Sequence, residues 1–412
     1  MISDSEKSGD NMSLNSTPSS DRVHIAFFGR RNAGKSSVVN AVTGQKLAIV
    51  SDVAGTTTDP VLKAMELLPL GPVVIIDTPG IDDEGELGSL RVKRSYQMLN
   101  KADVAVLVID SEKGFTDEDI RLLERIKEKS IPYIVVYNKN DLKDIDVLDK
   151  NEISVSALSG KGIHELKERI ARLAGSNKPE KHIVSDMLEA GDAVVLVVPI
   201  DSAAPKGRLI LPQQQTIRDI IDNHSFCTVV QPSELTSALA SMSKKPKMVI
   251  TDSQAFKEVS MAVPDDIMLT SFSILFANYK GNLGLAVSGV RALDSLCDGD
   301  TILMAEGCTH HRQCDDIGTV KIPRLIRKYS GRDVNFEWTS GTEFSENLKK
   351  YKMVIHCGGC MLNEREMQYR LKCAEDEGIP ITNYGTAIAH MNGILYRSLA
   401  PFPKLQGLLK PE

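Results

Sequence analysis

The sequence predicts an α/β protein made of three successive domains, and three observations lead to this prediction. Short runs of β-branched residues alternate with amphipathic stretches along most of the chain, a pattern typical of parallel sheets covered by helices. The chain has 412 residues, more than a single hydrophobic core usually serves. A polar and charged stretch at residues 175–181 interrupts the alternation and is the first expected linker.

The first domain is predicted over residues 22–175, after a Ser- and Asn-rich segment, residues 1–21, that is expected to be a disordered tail. Its expected strands are residues 23–28, 73–77, 104–110, 133–138 and 153–156. Because helical stretches separate these runs, they are expected to form a parallel, doubly wound sheet.

Two smaller α/β domains are predicted after the linker. The first, residues 183–265, has expected strands at 193–199, 227–230 and 248–251 and helices near 213–223, 233–242 and 254–263. It contains no Gly-rich phosphate loop and no cluster of titratable groups, which favours a docking or dimerisation module. The second, residues 268–412, is expected to open with a helix at Leu269 and to place strands at 301–305, 334–338, 353–356 and 379–382. No internal repeat is strong enough to use.

Composition narrows the classes of function. The net charge of -6 gives no general attraction to nucleic acid or to anionic membranes, so neither is expected as a partner. No apolar run approaches the roughly 20 residues that cross a bilayer, and the first residues show no signal peptide. The 7 cysteines are an odd number in a long chain, which favours a reducing cytoplasm and metal-binding thiols over disulfides.

A phosphate loop directly follows the first predicted strand. Its sequence is Gly29-Arg30-Arg31-Asn32-Ala33-Gly34-Lys35-Ser36, and a helical run continues from Ser37. Backbone N–H groups of such a loop and the positive end of the helix surround a β-phosphate, while the lysine neutralises charge and Ser36 binds Mg²⁺. The expected phosphate contacts are Gly29, Asn32, Ala33, Gly34, Lys35, Ser36 and Ser37. Alone, this motif predicts only a nucleoside triphosphate.

Two further motifs select guanine and a metal. In Asp77-Thr78-Pro79-Gly80, the aspartate can hold Mg²⁺ through water and the Gly80 amide can reach a γ-phosphate. In Asn138-Lys139-Asn140-Asp141, the Asp141 carboxylate can accept two hydrogen bonds from guanine, whereas adenine would leave it unpaired. Ser156-Ala157 is expected to close the far side of the base, with the Ala157 amide donating to the guanine carbonyl. These motifs together predict a GTP site.

A polar loop between the first two motifs has the place of a switch that senses the γ-phosphate. It reads Gly55-Thr56-Thr57-Thr58-Asp59, and Thr57 is the expected hydroxyl ligand of Mg²⁺. The predicted magnesium set is therefore Ser36, Thr57 and Asp77. This loop is expected to be ordered when GTP is bound and to be released on hydrolysis.

The nucleotide motifs resemble those of the GTPases typified by the tRNA-modification GTPase and its Era-like relatives. The resemblance implies GTP hydrolysis without a glutamine after Gly80, a place that Ile81 takes here. It also implies that Asn32 coordinates a K⁺ ion, whose charge would offset the negative charge of the transition state. Lys35, Thr57 and Asn32 are then the expected catalytic residues. An asparagine in a turn that bonds its own backbone is the alternative for Asn32.

Two cysteine motifs lie in the last third of the chain. Cys308-Thr309-His310 is followed, after 45 residues, by His356-Cys357-Gly358-Gly359-Cys360. Each motif follows a predicted strand, so the thiols are expected to meet at the carboxyl edge of one sheet, with Cys360 at the start of a helix near Leu362 whose dipole favours a thiolate. A metal centre, a four-ligand zinc site, a redox dithiol and buried cysteines all remain open. Packing or surface roles are expected for Cys227, Cys297, Cys314 and Cys373.

The whole order of motifs resembles that of the FeFe-hydrogenase maturation GTPases. This resemblance implies that Cys308, Cys357 and Cys360 bind a 4Fe-4S cluster with one open iron site, and that His310 and His356 are possible additional ligands. It further implies a scaffold that assembles or carries a two-iron subcluster precursor for apo FeFe-hydrogenase. Radical SAM maturases would be partners, and the protein would be a homodimer or larger. The alternatives are an RNA-modification or ribosome-assembly GTPase with structural zinc, and a GTPase gated by a thiol redox switch.

Overall fold

The computed structural model describes residues 17–45, 60–82, 85–143, 145–147, 149–175, 181–200, 209–307, 316–341, 344–345 and 347–409. The chain divides into two compact units, with the boundary after Lys178. None of the helices in these ranges is long and apolar enough to cross a membrane.

The first unit is built on a six-stranded sheet with the order β2-β3-β1-β4-β5-β6, in which only β2 runs antiparallel to its neighbour. Its strands are β1 Val23–Phe28, β2 Val61–Leu67, β3 Gly71–Asp77, β4 Val104–Asp110, β5 Tyr133–Asn138 and β6 Glu152–Ser154, and its helices are α1 Lys35–Thr43, α2 Gly85–Met98, α3 Asp117–Glu128 and α4 Ile163–Gly175. The parallel strands β1, β3, β5 and β6 end at one edge, where the loops that follow them carry the predicted nucleotide motifs.

Two features of this unit differ from the predictions. Strand β2 was not predicted, because it is an edge strand whose residues are mostly exposed and show no apolar run. The predicted disordered tail over 1–21 is too long, since Ser19–Asp21 forms a helical turn with Ser20 buried. Residues 1–16 lie outside the described ranges.

The second unit contains two four-stranded sheets, both entirely parallel. The first sheet consists of β7 Ala193–Val197, β8 Phe226–Val230, β9 Met248–Thr251 and β10 Met268–Ser271, and the second of β11 Thr301–Ala305, β12 Asn335–Thr339, β13 Met353–His356 and β14 Ile381–Asn383. Ten helices accompany them in the described ranges: α5 Leu211–Asp222, α6 Leu235–Ser241, α7 Phe256–Ala262, α8 Phe272–Tyr279, α9 Leu283–Gly289, α10 Ile322–Ser330, α11 Glu364–Asp376, α12 Tyr384–Met391, α13 Leu395–Ser398 and α14 Pro403–Gln406.

Strand β10 corrects the predicted division of this unit. The sequence predicts a helix at Leu269 in a domain starting at residue 268, but β10 pairs with β9 and completes the first of the two sheets. The strand leads directly into the apolar helix α8, so the two together resembled one helical run. One hydrophobic core contains residues of both sheets, among them Val249 and Met304. The two predicted domains therefore share their interior.

The two sheets are structural repeats, although no repeat was evident in the sequence. Written as β8-β7-β9-β10 and β12-β11-β13-β14, both sheets place their strands in the order second, first, third and fourth along the chain. A Gly-Asp turn precedes the first strand of each: Asp192 Oδ2 accepts from the Glu189 amide at 3.0 Å, and Asp300 Oδ2 accepts from the Cys297 amide at 2.8 Å. We refer to residues 181–289 as the first half and residues 290–409 as the second half.

Each half also contributes a helix that packs against the sheet of the other half. Helix α9 of the first half packs against β14, and α13 of the second half packs against β10. At Gly289 the approach is close enough that a Cβ atom would lie 2.2 Å from the Ile381 carbonyl oxygen. The exchange of helices explains why a single core runs through both sheets.

Candidate functional site

The phosphate loop curls around the Lys35 side chain. The buried ammonium donates to the carbonyl oxygens of Gly29 at 2.9 Å and Arg30 at 3.0 Å. Asn32 stands exposed at the tip of the loop with φ of 60°, a left-handed conformation that asparagine tolerates better than most residues. The predicted catalytic residues Lys35 and Asn32 thus lie in one loop, while Thr57 lies outside the described residues.

The Asn138 side chain joins the phosphate loop to the base-binding loop. Its Nδ2 donates to the Ala33 carbonyl at 3.1 Å, and its Oδ1 accepts from the Ala157 amide at 3.1 Å. Gly34 has φ of 86°, and a Cβ atom there would lie 2.2 Å from Asn138 Nδ2, so only glycine fits. Three of the predicted segments therefore meet through one buried amide.

Ser36 and Asp77 form an oxygen pair suited to Mg²⁺. The Ser36 hydroxyl donates to Asp77 Oδ2 at 3.0 Å, and Asp77 Oδ1 is buried with no hydrogen-bond partner among the described residues. Burial raises the pKa of Asp77, and the nearby Lys35 ammonium and Ser36 hydroxyl oppose this shift. A metal ion held by hard oxygen ligands would satisfy the orphaned carboxylate oxygen. The residues 55–59 predicted to add Thr57 are outside the described part of the chain.

The loop after β3 lies against the phosphate loop. The Ile81 amide donates to the Gly29 carbonyl at 3.4 Å, and the Arg31 amide donates to Asp82 Oδ1 at 2.7 Å. A Cβ atom on Gly80 would lie 2.7 Å from Arg31 Cγ, so this glycine permits the contact. The segment expected to sense a γ-phosphate is therefore placed next to the phosphate loop.

At the base-binding end, the predicted residues are held by hydrogen bonds among themselves. Asp141 Oδ1 accepts from the Ser156 hydroxyl at 2.5 Å, which fixes the carboxylate beside Ala157. Lys139 pairs with Asp110 at 2.7 Å, a partner that was not predicted. Burial acts to raise the pKa of Asp110, but the hydrogen bonds from Lys139 and from the Glu112 amide outweigh it and hold that pKa below its usual value.

The second candidate site lies at the carboxyl edge of the β11–β14 sheet. The Cys357 amide donates to the Ala305 carbonyl at 2.8 Å, which continues the pairing of β13 with β11. Cys357 Sγ accepts from the amides of Gly307 at 3.0 Å and Gly359 at 3.4 Å. Gly307 immediately precedes Cys308 in the sequence. Cys308 and His310 themselves lie outside the described residues.

The structure around Cys357 and Cys360 corrects one prediction. Helix α11 begins at Glu364, because the Asn363 side chain accepts from the Glu366 amide at 3.1 Å and caps the helix there. Cys360 is thus too far from the helix start for the expected dipole effect. Burial raises the pKa of Cys357 to about 11 and also raises the pKa of Cys360, against a smaller opposing effect of Lys280.

The thiols nevertheless suit an iron–sulfur cluster. Backbone N–H groups that point at a cysteine sulfur are donors of the kind that tune such clusters. A cluster would also bind the thiols as thiolates and remove the cost of charging them. Within the described ranges, no group of three or more His, Cys, Asp or Glu residues is arranged to hold a metal ion. The fit accordingly depends on Cys308 as the third thiol.

His356 is fully buried at the end of β13, with both ring nitrogens in polar contacts. Its Nδ1 lies 2.7 Å from the Cys357 carbonyl oxygen, and its Nε2 lies 3.1 Å from Arg370 Nη1. Burial and the Arg370 charge lower the pKa of His356 to about 3, so the ring is neutral.

Sequence reasoning missed three buried polar residues around this edge: Glu306, Glu366 and Arg370. The last two are four residues apart on α11 and form an ion pair at 2.9 Å. Such a spacing ordinarily indicates an exposed helix pair, and nothing in the sequence marks this one as interior. Glu306 directly follows β11, and its carboxylate accepts from the Tyr384 hydroxyl at 3.4 Å.

Comparison with known families divides the chain into three matched regions. A model described as a 50S ribosome-binding GTPase matches residues 24–139. The hydrogen maturase F dimerization domain matches residues 183–281, and the hydrogen maturase F tetramerization domain matches residues 284–401. The last two together cover more than half of the chain. The first unit is thus a P-loop GTPase domain.

Curated relatives and solved structures match part of the chain. The chain is 41% identical over 163 residues to the tRNA modification GTPase MnmE of Aquifex aeolicus, covering 38% of this chain and 36% of that protein. It is 35% identical over 173 residues to the corresponding protein of Clostridioides difficile, covering 39% and 37%. The chain thus spans little more than a third of the length of the curated relatives it matches. The crystal structure of Aquifex aeolicus Era is 22% identical and covers 50% of this chain and 92% of that one, with a TM-score of 0.35.

The two hydrogen maturase F domains follow the GTPase domain along the chain, and only residues 282–283 separate their matched regions. The chain therefore belongs to the hydrogen maturase F family of GTPases.

Proposed function

We propose that this protein is a GTP-hydrolysing scaffold of hydrogenase maturation that binds a 4Fe-4S cluster through Cys308, Cys357 and Cys360. The cluster's open iron position would accept a two-iron subcluster precursor, which the protein passes to apo FeFe-hydrogenase. Radical SAM maturases would supply the precursor. The chain would act as a homodimer or larger assembly, in keeping with the family descriptions of its two halves.

One observation carries the cluster proposal. The Gly307 amide donates to Cys357 Sγ at 3.0 Å, so the strand that leads into Cys308 ends in contact with the second cysteine motif. The two motifs are separated by 45 residues in sequence, yet the sheet brings Gly307, the residue before the first motif, to the sulfur of Cys357 in the second. Cys360 is three residues further along the same turn, a spacing that lets both of its thiols face one centre.

Anaerobic reconstitution of the full chain with iron and sulfide tests this proposal. The wild-type protein is expected to take up about four irons and to show the broad visible absorption of a cubane cluster. Cys308→Ser, Cys357→Ser and Cys360→Ser are each expected to lose most of this iron and to keep GTP turnover. Cys297→Ser is the matched control, because Cys297 is an exposed thiol that precedes the amino end of β11, whereas the two motifs follow the carboxyl ends of β11 and β13.

Two results would reject the cluster proposal. One is a full complement of iron in all three variants, which would place the site elsewhere. The other is a colourless wild-type protein that binds one zinc, which would support the structural zinc site instead.

The part of the proposal that concerns the nucleotide assigns roles to four oxygen-bearing side chains and one side-chain amide. Ser36 and Asp77 would hold Mg²⁺, with Thr57 as the third protein group, and Asp141 would select guanine. Asn32 would bind K⁺ at the exposed tip of the phosphate loop. Hydrolysis is therefore expected to be slower in Na⁺ than in K⁺. Asn32→Ala should remove that difference, and a preference for K⁺ that survives the substitution would exclude this role.

A further inference from the structure

Arg370 is the largest side chain that the described core buries completely. A guanidinium cannot lose its proton in a protein, so its burial requires compensating partners on every side. Glu366, which is also buried, supplies the opposite charge: its Oε1 accepts from Arg370 Nε at 3.0 Å and from Nη2 at 2.9 Å. The pair belongs to α11, the helix that follows the Cys357 and Cys360 turn.

The remaining N–H groups of Arg370 reach the ends of three neighbouring strands. Nη2 donates to the Gly341 carbonyl at 2.5 Å, in the loop after β12. Nη1 points to the Glu306 carbonyl at 3.5 Å, after β11, and to His356 Nε2 at 3.1 Å, at the end of β13. The Arg370 side chain thus connects the carboxyl ends of β11, β12 and β13, at the edge of the sheet where Cys357 and Cys360 lie.

The contact with Arg370 decides the state of the His356 ring. Arginine only donates hydrogen bonds, so Nε2 must accept and its lone pair is occupied. The proton then lies on Nδ1, which donates to the Cys357 carbonyl at 2.7 Å. Neither nitrogen has a lone pair to offer to iron.

The first half of the unit provides an internal comparison for this residue. His356 ends β13, and the residue that ends the equivalent strand β9 is Thr251. The Thr251 hydroxyl donates to the carbonyl of the following residue, Asp252, at 3.3 Å. His356 makes the same bond to the residue that follows it, at an edge where the first half has no cysteine. The bond is therefore part of the strand-end geometry of the repeat and does not depend on a metal.

We propose that Arg370 is a positioning residue of the cluster site, that it acts through His356 on the Cys357 peptide, and that His356 is not an iron ligand. This inference rests on the proposed function, because it concerns the same cluster. Arg370 would set the direction of the Cys357 carbonyl and would keep the Gly307 amide, one residue after Glu306, aimed at the Cys357 sulfur. His356 would then help to hold the Cys357 peptide in place without binding iron.

The test uses the full chain, reconstituted anaerobically with iron and sulfide, in the variants Arg370→Lys and His356→Thr. Lysine keeps the charge beside Glu366 but cannot reach three strand ends, so Arg370→Lys is expected to retain less iron and to show an altered EPR spectrum of the reduced cluster. Threonine keeps a hydroxyl for the Cys357 carbonyl, as Thr251 does in the first half, but is too short to reach Arg370, so His356→Thr is expected to keep the iron and to shift the g values as Arg370→Lys does. Pulsed EPR of the wild type should show no strongly coupled imidazole nitrogen.

Arg327→Lys is the matched control, because Arg327 lies on α10 and donates to the Val334 carbonyl, away from the cysteines. It should leave iron content and EPR unchanged.

Wild-type iron and EPR in a folded Arg370→Lys protein would overturn the positioning role. A strong nitrogen coupling that His356→Thr removes would overturn the exclusion of His356, and it decides the question even if Arg370→Lys does not fold. A wild-type protein that takes up no cluster would instead reject the proposed function and, with it, this inference.

Discussion

The two halves of the second unit share a backbone plan and differ in what they place at its edge. In both, the residue after the third strand donates its amide to the last residue of the first strand: Asp252 to Val197 at 3.4 Å, and Cys357 to Ala305 at 2.8 Å. In both, the last residue of the fourth strand caps the next helix, Ser271 through the Ile274 amide and Asn383 through the Thr386 amide.

The side chains at these matched positions diverge. Where the second half has Gly307, whose amide donates to a sulfur, the first half has Pro199, which has no N–H to give. Where the second half has Cys357, the first has Asp252, whose carboxylate accepts from Gln213 Nε2 at 2.7 Å. A parallel sheet edge is thus a general frame for ligands, and a few residues decide whether it becomes a metal site.

The largest effect is expected from breaking the contact between the halves. Gly289→Ala would place a methyl group 2.2 Å from the Ile381 carbonyl oxygen, which is backbone and cannot turn aside. We expect a loss of about 3 kcal/mol in the free energy of unfolding. Urea unfolding followed by fluorescence measures it, since Trp338 of β12 is the sole tryptophan of the chain.

Gly284→Ala is the control for this substitution. It lies in the same helix, α9, but its added Cβ would meet no atom closer than 3.4 Å. It should leave stability unchanged or raise it by up to about 1 kcal/mol through helix propensity. Equal behaviour of the two variants would mean that α9 is not held against β14 as described.

A smaller and equal effect is expected at the two Gly-Asp turns. Asp192→Ala and Asp300→Ala each remove the acceptor of one backbone amide, so each should cost about 1 kcal/mol of unfolding free energy. Because the halves share one core, either substitution should shift the same transition. Two separate transitions, each sensitive to only one aspartate, would contradict the shared core.

The stabilising effect of Asp192 should also depend on pH. The Glu189 amide, with a further contribution from Lys244, lowers the pKa of Asp192. A folded-state pKa below the unfolded value of about 3.9 means that the stabilisation is present above that pH and is lost as the pH falls through the folded-state pKa. The stability difference between wild type and Asp192→Ala should therefore shrink between neutral and strongly acidic pH. A difference that grows on acidification would exclude this account.

No effect on iron is expected at the edge of the first half. Asp252→Ser removes the carboxylate that corresponds in position to Cys357, and reconstituted iron content should stay at the wild-type level. A measurable loss of iron in this variant would show that the first half takes part in the metal site.

The sequence was sufficient for those parts of the fold that depend on long apolar patterns. Strands β1, β4 and β5 are fully or largely buried, and the expected positions agree with the observed ones. Strand β2 escaped prediction because it is exposed, and β10 because it runs into an apolar helix. The repeat escaped prediction because equivalent strands share only hydrophobic character and a Gly-Asp turn, which is too little to align.

The residues of the candidate sites were also predictable only in part. Motifs with fixed spacing, such as Gly29 to Ser36 or Asn138 to Asp141, were located because phosphate and guanine recognition requires those residues in that order. Arg370 was not located because its role depends on burial, and a Glu366–Arg370 spacing reads equally well as a solvated helix surface. Long-range hydrogen bonds such as that of Asn138 to Ala33 follow from the tertiary structure alone.

The hydrophobic cluster that both halves of the second unit share limits how the protein can be divided into fragments. Val287 and Val290 of the second family region are buried in the same cluster as Val195 and Val249 of the first. A shortened polypeptide that stopped at residue 281 would lack Val287 and Val290, so Val195 and Val249 would lose part of their packing and an apolar surface would be exposed to water. Biochemists who wish to isolate the cysteine-bearing portion should therefore express everything from residue 179 onward as one piece.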